Sequence, residues 1–334
     1  MINIISEDIK SLTKTINAGY FKGKKILIFG GTGIIGQYFL IFFLSLKLKK
    51  SISKITIIIK NDLPNYLKFL NKNNKVKIIK CNITKYNFSK IDKYDVIIFS
   101  GGYGQPSKFL KNSLETIEIN TNVLMKFFSK LKKNGKFLYI SSSEIYNGNN
   151  KKKITENDIG FTNTNDPRSS YIEAKRCGET IVNIFAKKYN IDAKSIRLSL
   201  AYGPGVKKDD GRVLNEFITR SIKNKILYVM DSGNAIRRYI YIADAIYMMI
   251  NILIFGKKNI YNVAGKEKTS ISSIAKKIGK ILQIKVKFKK KSSLKGSPKN
   301  TSLSINRYES EFGKTKLTSL DKGLNKTIDW YQNL

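Results

Sequence analysis

Histidine is absent from the 334 residues, which excludes histidine-based triads and histidine metal sites at once. Cysteine is nearly absent as well. Cys81 and Cys177 cannot build a disulfide scaffold or a structural zinc site, and two isolated thiols fit a reducing compartment. Acidic residues are scarce, 24 against 62 lysines and arginines, which leaves a formal net charge of +38. Such a charge points first to nucleic acid or to an anionic membrane surface. Yet only eight of the 62 cations are arginine, and the lysines run along almost the whole chain in a background rich in Ile and Asn. A specific nucleic-acid face favours arginine forks and local clustering, so none is expected here. Long apolar runs are missing too. The most apolar stretch, Ile34 to Leu46, is shorter than the ~20 residues a membrane span needs, and it contains Gln37 and Ser45. Met1 to Lys25 lacks the apolar core of a signal peptide. The expectation is a cytoplasmic protein with no membrane partner and no bound metal.

What is present is ample core material. Hydrophobic residues make up 42% of the chain, enough for one large or two modest cores. Met1 to Gly23 reads as a short helical arm, with Ile5, Ile9, Leu12 and Ile16 at helical spacing. Strand-like and helix-like segments then alternate. Strands are expected at Lys25–Phe29, Lys54–Ile59, Lys75–Ile79, Asp95–Phe99, Lys136–Ile140 and Lys194–Leu198. Helices are expected at about Ile34–Leu48, Leu114–Lys132 and Tyr171–Tyr189. Apolar runs without strict alternation, separated by helices, predict parallel strands covered on both faces. The expected fold is therefore α/β, a doubly wound (Rossmann) parallel sheet with a smaller C-terminal substrate lobe. The divisions would be an arm over 1–23, a dinucleotide-binding domain over 24–200 and a lobe over 201–334, partly interleaved with it. A very basic stretch, Lys285 to Lys299, falls in that lobe.

Between the first strand and the first helix stands Gly30-Gly-Thr-Gly33-Ile-Ile-Gly36. Three glycines alone could be an ordinary loop. With a strand before and an apolar helix after, they meet the needs of a pyrophosphate turn: a tight bend, exposed backbone amides and close helix–strand packing. The end of the second strand usually carries an acid for the ribose 2′-hydroxyl of NAD. Here Lys60 and Asn61 occupy it, with Asp62 just beyond. A cation there could instead pair with the 2′-phosphate of NADP, so both cofactors stay open.

Tyr171 and Lys175 lie one helical turn apart on one face. An ammonium beside a phenol favours the phenolate and makes it a usable acid/base. The spacing alone is weak, because Tyr20/Lys24 and Tyr86/Lys90 share it. Context singles out Tyr171, which opens a helix 29 residues after Ser142 at the end of a buried strand.

From about residue 24 to residue 280 these features resemble the extended short-chain dehydrogenase/reductases, specifically the NAD-dependent epimerase/dehydratase family acting on nucleotide sugars. The resemblance rests on the Gly30/Gly33/Gly36 turn, Phe99-Ser-Gly-Gly102 where the family usually has His-Leu-Ala-Ala, Asn120, Ser141 to Tyr146, Tyr171/Lys175, Arg197 to Gly205, Arg237 to Asp244 and Tyr261 to Gly265. It implies a homodimer formed through the helices near Asn120–Lys132 and Tyr171–Tyr189. It implies that Ser142 hydrogen-bonds the sugar O4, that Tyr171 is the acid/base there, and that Lys175 holds the nicotinamide ribose and lowers the tyrosine's pKa. Hydride would pass between sugar C4 and the nicotinamide. The cofactor, NAD or NADP, would lie against Gly30, Thr32, Gly33, Ile34, Ile35 and Gly36, then Lys60, Asn82, Ile83, Gly101, Gly102 and Lys175. Asn82 stands where the family usually has an Asp beside the adenine.

The reaction after oxidation turns on Ser143-Glu144. Dehydratases of the family carry Asp-Glu there, an acid and a base, whereas Ser-Glu is similar to the UDP-glucuronate decarboxylases. Pro167 to Arg176 and Asp209 to Val213 resemble decarboxylase segments too. Substrate contacts would come from Tyr103 and from Arg212 and Arg237, two cations suited to a diphosphate. The resemblance thus implies C4 oxidation of a nucleotide sugar followed by decarboxylation. Epimerase, 4,6-dehydratase, NADP-dependent 4-keto reductase and a non-catalytic nucleic-acid-binding role are the alternatives.

Overall fold

Six apolar runs form strands: β1 (Lys24–Phe29), β2 (Ile52–Ile59), β3 (Val76–Lys80), β4 (Tyr94–Phe99), β5 (Leu131–Ser142) and β6 (Asp192–Leu198). They belong to a computed structural model that describes residues 2–46, 52–289 and 302–334. A later strand, Ile260–Val263, adds to the edge beside β6, so the sheet runs Ile260–Val263, β6, β5, β4, β1, β2, β3 with every pair parallel. This is the expected doubly wound α/β sheet. Strand order reverses between β1 and β4, and the crevice beyond their carboxyl ends is where such folds bind ligands. Ile26–Ile28 and Val96–Phe99 are fully buried, because helices cover both faces and neither side of a central strand meets water.

Helix α1 (Ile2–Thr15) buries Ile5, Ile9 and Leu12 against α2 (Ile34–Ser45). The expected helix end at Leu48 lies outside the described residues. Asp8 on α1 is buried but well partnered: it accepts from the Tyr38 hydroxyl at 2.9 Å and the Tyr241 hydroxyl at 2.6 Å, and pairs with Lys326. A buried carboxylate is tolerated when several donors replace its water.

The segment after β4 departs from expectation. Instead of one helix over Leu114–Lys132 it begins earlier and is broken into α3 (Pro106–Lys111), α4 (Ser113–Glu118), a wide π turn (Ile119–Val123) and α5 (Leu124–Phe128). Pro106 at the start suits a first helical turn. The π turn accommodates Asn120, whose Oδ1 accepts from the buried Tyr139 hydroxyl at 2.7 Å while its Nδ2 donates to Thr116 O at 2.8 Å. Leu131 and Lys132 belong to β5, which starts earlier than Lys136 and shifts register opposite Tyr94 and Val96. Helix α6 (Ser169–Tyr189) runs as expected and closes on Asn190 in the left-handed region. Beyond it, Lys285–Phe288 pairs in parallel with Ile226–Val229. The rest of the basic stretch, from residue 290 to Lys299, lies outside the described residues.

Beneath the sheet ends sits a buried ion pair. Arg197 on β6 holds Glu179 on α6 through Nε and Nη2 at 2.8–3.2 Å, and Ser141 Oγ donates to Glu179 Oε1 at 2.5 Å. Arg197 Nη1 donates to the Tyr146 hydroxyl and to Glu156 O. Removing one partner of such a pair strands the other charge in a dry interior. Glu179→Gln should therefore destabilise the fold by about 3–5 kcal/mol, read as a lowered urea midpoint; an unchanged midpoint would refute this account.

Candidate active site

The turn after β1 is held against β4 and β2. Ser100 donates to Phe29 O through N at 3.0 Å and Oγ at 2.8 Å, and Gly30 N donates to Ile58 O at 3.0 Å. Gly30 has φ +89, and a Cβ on it would lie 2.6 Å from Gly101 Cα. A Cβ on Gly36 would lie 2.3 Å from Gly30 O. Both positions thus admit only glycine, and the turn stays flat where a pyrophosphate would approach. The first-turn amides of Ile34, Ile35 and Gly36 have no intrahelical acceptor, which makes the α2 N-terminus an anion seat beside Thr32 and Gly33. The residues present fit a dinucleotide. The departure at Gly101 has a steric cause: the Phe29 ring lies 2.4 Å from where a Cβ would stand. Gly102 follows with φ +119.

At the end of β2, Lys60 does not stand free to meet a 2′-phosphate. Its Nζ donates to the Tyr103 hydroxyl at 2.7 Å and to both Glu115 oxygens at 2.9 and 3.2 Å, and Tyr103 donates to Glu115 at 2.7 Å. Tyr103, expected against the substrate, is thereby drawn to the β2 side. Asn82 is exposed, and its Oδ1 caps a short turn by accepting from Thr84 N and Thr84 Oγ1, so only its amide nitrogen is left to face a base. Ile83 is buried beneath it.

The catalytic set assembles at the ends of β5 and α6. The Ser142 hydroxyl lies near enough to the Tyr171 phenol to favour its phenolate, and Ser142 Oγ accepts from Glu144 N at 3.1 Å. Tyr171 is buried and stacks on Phe109, ring centroids 4.5 Å apart and planes 10° from parallel. Lys175 Nζ donates to Ile140 O at 2.9 Å and lies 5.8 Å from the Tyr171 ring centre. Burial, with the charge of Glu144, pushes Tyr171 up to about 12, against the pull of the Ser142 hydroxyl and of Arg212 and Arg168. Burial also takes Lys175 down to about 7, opposed by Glu179, so near neutrality its own charge is only partial.

Arg212 and Arg168 act on the phenol, and Arg237 stands near Glu144. Arg168 Nη2 donates to Glu144 Oε2 at 2.6 Å, and its guanidinium lies 5.5 Å from the Phe109 ring centre. The expected base is thus ion-paired. Arg212 grips Asp210 through Nε at 2.9 Å and Nη2 at 2.7 Å, and Arg237, mostly buried, feels the charges of Glu144 and Arg168. Ser143 follows Ser142 with its side chain partly exposed. Arg168, Phe109 and Glu115 were missed from the sequence. A cation three residues before Tyr171 was the available signal for Arg168; the other two reach the site only through tertiary contact.

A glycine turn at the sheet's switch point, and a serine at the end of β5 facing a phenol and an ammonium on α6, are the parts of a dinucleotide-fold enzyme. Comparison gives the family. The model of the NAD dependent epimerase/dehydratase family matches residues 26–264, and the chain belongs to that family. It is 24% identical to UDP-glucuronic acid decarboxylase 1 of Xenopus tropicalis over 92% of this chain and 72% of that protein. Among solved structures it is similar to UDP-glucuronic acid 4-epimerase of Bacillus cereus in complex with UDP-glucuronic acid and NAD, with 25% identity, TM-score 0.76, and 92% and 99% of the two chains covered. It also shares its fold with dTDP-glucose 4,6-dehydratase of Bacillus anthracis, with 18% identity, TM-score 0.73, and 92% and 96% covered.

Because Lys175 binds its proton less firmly folded than unfolded, the unfolded chain holds more protons between about pH 7 and the ordinary lysine value of 10.5. Stability should rise with pH across that window by this group's share. Lys175→Met should flatten the rise in urea midpoint between neutral and alkaline pH relative to the parent; an identical slope would place the lysine's pKa elsewhere.

Proposed function

We propose that the protein oxidises C4 of a nucleotide-linked hexuronate and then decarboxylates the 4-keto acid. The observation that carries the C4 chemistry is the placing of the Tyr171 phenol, stacked on Phe109, beside the Ser142 hydroxyl with Lys175 Nζ 5.8 Å from its ring centre. Gly30, Thr32, Gly33, the α2 amides and Lys175 would hold NAD, which when bound would supply a hydride acceptor for C4. Ser142 positions the sugar hydroxyl, and Tyr171 takes its proton. In the ligand-free site burial keeps the phenol protonated, while the Ser142 hydroxyl and the cations Arg212 and Arg168 pull its pKa down. In the resulting 4-keto acid the C5–C6 bond breaks, carbon dioxide leaves, and the electron pair passes to the C4 carbonyl as an enolate that is reprotonated at C5.

The surroundings of Glu144 support an acidic sugar. A substrate carboxylate beside Glu144 alone would meet like charge; Arg168 and Arg237 flank it and offset that repulsion. Ser143, lacking a carboxyl, argues against dehydration, which needs an acid for the leaving hydroxyl. Epimerisation of the same substrate class is the second reading, favoured by the likeness to the Bacillus cereus epimerase. Incubation with UDP-glucuronate separates them by mass spectrometry: loss of carbon dioxide is expected, and an isomer of unchanged mass would replace decarboxylation by epimerisation. Tyr171→Phe should lower turnover by about 10²–10⁴-fold.

A homodimer belongs to the same proposal. Leu114, Ile117 and Met125 on α4 and α5, with Ile184 and Tyr189 on α6, expose large apolar side chains on helices that pack together. Such a face is usually covered by a partner. Light scattering should give twice the chain mass of 38.0 kDa, and Leu114→Glu with Ile184→Glu should give the monomer. A monomeric parent protein would refute the dimer.

A further inference from the structure

The end of β2 poses a chemical puzzle: a dinucleotide fold with a lysine where a carboxylate is needed. We infer that Glu115, delivered from α4 and locked to Lys60 and Tyr103, replaces the missing β2 acid and makes the site select NAD against NADP. The inference rests on the proposed dinucleotide binding and names the residue that sets its specificity.

The geometry closes a ring. Lys60 Nζ reaches Tyr103 at 2.7 Å and Glu115 at 2.9 and 3.2 Å, and Tyr103 donates to Glu115 at 2.7 Å. The Lys60 ammonium also lies 5.3 Å from the Tyr103 ring centre. Lys60 directly follows the strand whose Ile58 carbonyl accepts from Gly30 N, so the ring stands beside the phosphate turn, at the ribose end of the crevice. The lysine side chain is 51% exposed but the glutamate only 22%, so the carboxylate is the better sheltered and the less screened of the two charges.

Two consequences follow for a ligand. A ribose 2′-hydroxyl can donate to Glu115 and accept from Lys60 in place of the ammonium's longer, 3.2 Å contact to Glu115, so it satisfies both charges. A 2′-phosphate has no proton to give at neutral pH and brings further negative charge beside Glu115. To pair with it, Lys60 would have to leave a carboxylate it already holds. The lone lysine that suggests NADP from the sequence is converted by its partner into half of a neutral, hydroxyl-reading pair.

Calorimetric titration of the full-length protein with NAD and with NADP tests this. The parent should bind NAD more tightly, and Glu115→Gln should cut the NAD preference by about tenfold or more, chiefly through tighter NADP binding. Lys60→Met, which keeps the acid and removes the cation, should widen the preference. It serves as the second test where Glu115→Gln folds poorly by circular dichroism. Tyr103→Phe should narrow it by a smaller step. A parent that binds NAD while Glu115→Gln keeps the same ratio overturns the role of Glu115 and leaves the proposed chemistry standing. A parent that binds neither dinucleotide overturns both.

Discussion

The carboxylate of Glu179 is the constraint on which the site's geometry rests. It lies one turn beyond Lys175 on α6 and is gripped by Arg197 of β6 and Ser141 of β5. Ser142 is the next residue along β5, and Tyr171 is two turns back along α6. The same carboxylate therefore fixes the helix that carries the phenol and ammonium against the strand that carries the serine. A slip of one residue along a helix is about 1.5 Å, well outside the roughly 0.5 Å tolerance of a productive constellation. The pair also acts electrostatically, since Glu179 opposes the loss of charge that burial imposes on Lys175.

The chain's large positive charge is a poor guide to this interior. Its few acids stand beside the cations whose direction matters: Glu144 beside Arg168, Asp210 beside Arg212, Glu179 beside Arg197, Glu115 beside Lys60 and Asp8 beside Lys326. Each pairing fixes a long side chain that would otherwise sample many rotamers and aims its remaining donors. The lysine excess lies mostly on the outside, where solvent screens it. It attracts anions in general and orients none.

The sheet was legible because β1, β2 and β4 are apolar runs that only burial on both faces explains, and the glycine turn because its flanking elements bracket it. Tyr171 and Lys175 were legible through spacing and position. What escaped the sequence was contact across distance. Nothing local to Lys60 signals Glu115, 55 residues away, and nothing local to Glu144 signals Arg168, 24 residues on. The break in the helix after β4 was hidden for the same reason, since Asn120 widens its turn to meet a hydroxyl from β5. Burial, which raises the phenol's pKa and lowers the ammonium's together, comes from tertiary packing that the spacing of Tyr171 and Lys175 does not carry.

The amino-terminal helix is more than an appendage. Through Asp8 it reaches Tyr38 and Tyr241 at one carboxylate oxygen and Lys326 at the other. One carboxylate thus serves as a rivet between parts of the chain more than 300 residues apart in sequence. Lifting the helix away would carry that carboxylate with it and strip the buried Tyr38 and Tyr241 hydroxyls and Lys326 of their shared acceptor in a single event. Its release therefore belongs with collapse of the whole assembly and not with the easy fraying common at chain ends.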